Sequence, residues 1–65
     1  MPQPPRPPEL REMQRSPHWP KLLPIFKEGI EAGRNDQWRN TYPARSLRWY
    51  AYEAGWDIGI DESPP

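Results

Sequence analysis

The chain has no cysteine, so no disulfide can staple it and no thiolate zinc site can form. That leaves the compartment open, with a reducing cytoplasm as the default expectation. No apolar run approaches the roughly 20 residues needed to cross a bilayer, and the opening MPQPPRPPELRE carries no signal-peptide apolar segment. The expected location is cytoplasmic, with no membrane partner. Only one histidine is present, His18 between Pro17 and Trp19, and without a cysteine or a second histidine it is a weak metal ligand or base. Ser16, Ser46 and Ser63 have no neighbouring histidine or glycine elbow, and no phosphate-cradling glycine loop exists. Nucleophilic and nucleotide-dependent catalysis have no support, so neither an enzyme nor a cofactor is expected. Net charge is absent as well: nine basic residues cancel nine acidic ones, which argues against a general nucleic-acid coat.

What is present in excess is proline. Seven of the eleven prolines fall in residues 1–20, where each ring fixes its own φ and disfavours helix in the residue before it. This stretch reads as a Pro-rich extended leader, followed by a helical hairpin over residues 21–60 and a disordered tail over 61–65. The leader either stays extended or folds back so that Pro17, Trp19 and Pro20 cover the hairpin. Within it, Glu9 to Arg15 is built from good helix formers but is too short to be helical alone. Sixty-five residues make at most one domain, with one small core and no room for a large catalytic cavity.

All four glycines fall into two pairs spaced by four, Gly29/Gly33 and Gly55/Gly59. Glycine in an exposed helix costs roughly 1 kcal/mol relative to alanine, so four of them imply close approach by another backbone, a ring or a ligand. The first helix is expected to begin near Pro24, with a kinked start at Pro20 as the alternative, and to stop at Gly33 or a turn later near Trp38. Leu22, Ile25, Phe26, Gly29, Ile30 and Gly33 make its buried face. The second is expected to start at Tyr42-Pro43, with Pro43 in the first turn, and to run to about Ile58. Its rows are Leu47/Tyr50/Ala54/Ile58, Ala51/Gly55/Gly59 and the aromatic Trp49/Tyr52/Trp56. The fold class that follows is all-α: a small antiparallel two-helix hairpin in which the glycine rows face one another. That sense would set the acidic stretch Glu53, Asp57, Asp61 and Glu62 beside Lys21 and Lys27, and gather Arg34, Arg39, Arg45 and Arg48 at the loop end.

These arginines, with Trp38, Tyr42 and Trp49, make the leading candidate binding surface. Guanidinium forks grip phosphate and rings stack unpaired bases, which suits looped or single-stranded RNA. In the competing reading the rings are core and the arginines solvated, and a chain this small needs its rings for a core. Glu53, Asp57 and Asp61 lack the loop carbonyls of a good divalent-ion site and read instead as a solvated face or a patch answering a basic partner.

The segments Gly29-Ile30-Glu31-Ala32-Gly33, Asn40-Thr41-Tyr42-Pro43 and Tyr52-Glu53-Ala54-Gly55-Trp56 resemble, in order, the motifs of the ribosome modulation factor family of small bacterial proteins. The resemblance covers residues 26–60. It implies a two-helix, non-enzymatic protein that associates with ribosomal RNA and the small ribosomal subunit to regulate translation during hibernation. The positions that carry over are Gly29, Ala32, Gly33, Tyr42, Pro43, Gly55 and Trp56. A reading of another class is a protein-protein interaction module or inhibitor of phage or plasmid type, docking on a host protein through Trp49, Tyr52 and Trp56 beside the acidic end. A homodimer is compatible with either.

Overall fold

The computed structural model describes residues 6–62 and is helical, with α1 (Leu10–Arg15), α2 (Trp19–Arg34) and α3 (Leu47–Glu62). Among the described residues there is no strand. Helices α2 and α3 pack along their length and α1 caps them, touching both.

The glycines set how closely α2 and α3 approach. A Cβ on Gly29 would overlap the carbonyl oxygen of Tyr52, and one on Gly33 would lie 2.6 Å from that of Trp56. Reciprocally, a Cβ on Gly55 would overlap the carbonyl of Phe26, and one on Gly59 that of Ile30. The obstacle in every case is backbone, so no rotamer change can relieve it. Each glycine Cα–H therefore points at an oxygen of the other helix, a contact worth about 0.5–1 kcal/mol. None of the glycines has a positive φ, so what each position requires is proximity rather than an unusual backbone shape.

The order of these contacts reverses the expected hairpin. Moving up α2 from Gly29 to Gly33 moves up α3 from Tyr52 to Trp56, so the helices run parallel. The glycine rows do face each other, but the connector, residues 35–46, does not turn the chain around. It runs back along the pair and delivers α3 to the end where α2 began. Twelve extended residues reach up to roughly 40 Å, more than the roughly 24 Å of a sixteen-residue helix. Parallel packing forgoes antiparallel dipole pairing, worth about 0.3–1 kcal/mol per exposed end. Four backbone contacts and the connector's ties outweigh it.

The boundaries move too. Helix α2 starts at Trp19, five residues before Pro24, with Pro20 in its first turn and Pro24 inside it. Pro24 removes a single hydrogen bond, the one that would reach back to Pro20, and both rings are exposed. The helix ends at Arg34, not at a left-handed Gly33; the reversal is at Asp36, with φ of 52°. Helix α3 starts at Leu47 rather than Tyr42-Pro43. Ser46 caps it, its Oγ accepting the Trp49 N–H at 3.2 Å, while the Pro43 carbonyl accepts the Ser46 N–H in the preceding turn. Asp61 and Glu62 belong to α3 rather than to a tail, and residues 63–65 lie outside the described residues.

The core is small: Met13, Leu22, Phe26, Ala51 and Tyr52 are buried. Met13 reaches it from α1, where it packs against Leu22 and Ala51. The leader thus contributes Met13 to the core with Leu10 packed against it, and Trp19, which belongs to α2, packs its ring 5.5 Å from Phe26.

Candidate functional site

The connector is fastened to the helix pair by side-chain to backbone bonds. The Arg39 N–H donates to the Tyr52 hydroxyl at 2.9 Å. Asn40 donates from Nδ2 to the Trp49 carbonyl at 3.1 Å and accepts the Tyr42 N–H on Oδ1 at 3.2 Å. The Tyr42 hydroxyl donates to the Glu28 carboxylate at 3.0 Å. Burial first, and then this bond to a carboxylate, raise the Tyr42 hydroxyl above its ordinary value of 10.0. Trp38 packs edge-on against Tyr52 and Trp56, with centroids 5.4 and 5.1 Å away, and remains 45% exposed.

This path splits the expected arginine cluster. Arg34, at the far end of α2, donates through Nε and Nη2 to one oxygen of Glu62. Arg48, in the first turn of α3, lines a pocket of about 240 Å³ with His18, Lys21, Leu22 and Leu47, where both long helices begin. Arg34 and Arg48 are thus a helix length apart. Arg39 shares a depression with Glu28 and Glu31. Arg39, Arg45 and Arg48 are exposed, and among the described residues neither they nor Lys21 form an ion pair. Arg45 is held at φ 66°, a left-handed conformation that strains a non-glycine residue.

The rings divide as well. Tyr52 is 1% exposed, Trp56 lies under Trp38, and Trp49 packs edge-on to Tyr50, 5.2 Å away, in a groove lined by no connector residue. The Trp49/Tyr52/Trp56 row therefore offers no continuous docking face, because its middle ring is core. The acidic stretch is corrected likewise: parallel packing puts Asp61 and Glu62 beside the end of α2, away from Lys21. Glu53 is half-buried, and desolvation, then the charge of Asp57, raise its carboxyl above the ordinary 4.5. No group of three or more potential metal ligands converges among the described residues. No described helix is long and apolar enough to cross a membrane.

Sequence reasoning passed over Lys21 as a member of the basic end. It also read Leu47, Tyr50, Ala54 and Ile58 as one apolar row without showing that Tyr50 and Ala54 rest on the core while, with Ile58, they line an open groove. Only the direction of α3 could have revealed the first, and only the placement of α1 the second. No protein-family model matches the chain, and no curated protein or solved structure is similar to it at a significant level.

Proposed function

We propose that this chain is a non-enzymatic binding protein of the ribosome modulation factor type, which contacts RNA of the small ribosomal subunit and so regulates translation. The observation that supports this most is the connector strip. It presents exposed Trp38, Arg39 and Arg45 along one side of the helix pair and ends at Arg48, beside Lys21. Unpaired guanidinium groups suit phosphate, and an exposed indole suits stacking on an unpaired base. Both long helices point their positive ends toward Lys21 and Arg48, while the carboxylates of Asp61 and Glu62 lie a helix length away. A formally neutral chain thereby shows RNA a locally basic end at Lys21, Arg45 and Arg48, with Arg39 farther along the strip beside Glu28 and Glu31. Arg34, tied to Glu62, has no part in it.

Purified small subunits provide the test, titrated at several salt concentrations. If Arg39, Arg45 and Arg48 each meet one phosphate, the slope of log K against log salt carries a contribution of about −2 from them. The triple alanine variant should lose that contribution. A salt-independent affinity, or one the triple variant retains, would contradict the proposal.

A further inference from the structure

An apolar groove of about 450 Å³, lined by no connector residue, lies between α3 and the Pro7–Leu10 segment that leads into α1. Leu10, Trp49, Tyr50, Ala54 and Ile58 line it. Leu10, Tyr50 and Ala54 also rest on the core, so the lining is braced from behind. Glu53 and Asp57, one turn apart, stand in the same groove, and Asp61 continues their row beyond it. None of these three carboxylates forms an ion pair among the described residues. The molecule thus combines an apolar trough with uncompensated negative charge along it.

We infer that this groove is a docking site for a basic amphipathic segment of a partner protein, with apolar side chains entering between Tyr50, Ala54 and Ile58 and lysines or arginines meeting Glu53 and Asp57. Charge complementarity selects this occupant. Phosphate, of RNA or of an anionic membrane, would be repelled by the same carboxylates. A second copy of the chain would have to present its own basic end, where Leu47 is 43% exposed beside Lys21 and Arg48. That contact joins two different surfaces, leaves one of each unsatisfied, and grows into open chains rather than a closed dimer. A helix presenting apolar residues three and four apart, flanked by cations, fits the trough in the ordinary helix-in-groove mode. Half-buried Glu53 gains most, since an arriving cation offsets the desolvation that opposes its ionisation.

The full chain is titrated with a fluorescein-labelled Leu/Lys amphipathic peptide, a Leu/Glu peptide of the same pattern and a Ser/Lys peptide that keeps charge without apolar side chains. Saturable binding is expected for Leu/Lys alone, weakened about tenfold or more by Glu53→Lys with Asp57→Lys and unchanged by the Arg39, Arg45, Arg48 triple alanine variant. The last arm separates this inference from RNA contact, because each can fail while the other stands. Circular dichroism confirms that the variants fold, and the single exposed-site variant Asp57→Lys, expected to weaken binding in the same direction, serves if the double variant does not. Lack of Leu/Lys binding, equal binding of Ser/Lys, or affinity unaffected by Asp57→Lys overturns the proposal. So does sedimentation showing that the chain self-associates through the groove and that Asp57→Lys abolishes the association.

Discussion

Arg34 ends α2, Glu62 ends α3, and the two side chains meet at 2.6 Å, so both long helices finish at the same end of the molecule. The pair marks the parallel sense of the fold more than it stabilises it. Its side chains are 58% and 47% exposed, and exposed pairs contribute about 0–1 kcal/mol. Replacing either partner with alanine should lower stability by less than about 1 kcal/mol in urea unfolding. Arg34→Ala should also leave small-subunit affinity unchanged, unlike Arg45→Ala.

Glycine replacement separates helix propensity from packing. On an isolated helix Gly55→Ala would stabilise by up to about 1 kcal/mol. Here the new methyl meets the Phe26 carbonyl, and forcing the helices apart costs about 1–3 kcal/mol. A net loss of stability is expected for Gly29→Ala and for Gly55→Ala in thermal unfolding. A raised midpoint for both would mean that the helices are not in close contact.

Arg45 carries strain at a candidate contact. Its left-handed backbone costs a residue with a Cβ roughly 1–2 kcal/mol. Arg45→Gly should therefore raise stability by about 1 kcal/mol while weakening binding to small subunits. Stability and function would move in opposite directions, as they do where a site retains strain.

Glu53 makes a pH dependence whose sign is opposite to that of a salt-bridged carboxylate. Its folded value lies above the ordinary 4.5, so between the two values the folded state holds the proton more often than the unfolded state does. The contribution to stability is complete below pH 4.5 and is lost as pH rises through the folded value. Glu53→Gln should be more stable than the parent chain near neutral pH, with the difference shrinking as the medium is acidified. A difference that grows on acidification would contradict this.

Helix content and the facing of the two glycine stripes are legible in the sequence because both depend on local spacing. The direction of α3 is not, since a stripe of small residues presents the same smooth surface read up or down. The connector is fastened along the pair by Trp38 against Tyr52, Asn40 on the Trp49 carbonyl and Tyr42 on Glu28, and isolated ties of this kind leave no periodic trace. The early start of α2 is hidden for a different reason: Pro24 reads as a first-turn residue, although a helix already begun at Trp19 tolerates the single bond it removes. Met13 is hidden too, because Leu10 and Met13 are the only apolar residues of a six-residue helix and a single spacing of three is too short to read as periodicity. The basic strip follows from the connector's path, so the sequence shows its arginines but not their grouping.

Every functional assignment rests on α2 and α3 running parallel, and a spin label tests that most directly. The chain has no cysteine of its own, so Asp61→Cys provides a unique attachment point on exposed surface at the end of α3. Paramagnetic broadening of amide resonances should be strong for residues 31–35 and weak for residues 19–22, about a helix length away. Strong broadening at 19–22 with sharp signals at 31–35 would show an antiparallel pair, and the strip, the groove and the proposed contacts would all have to be redrawn.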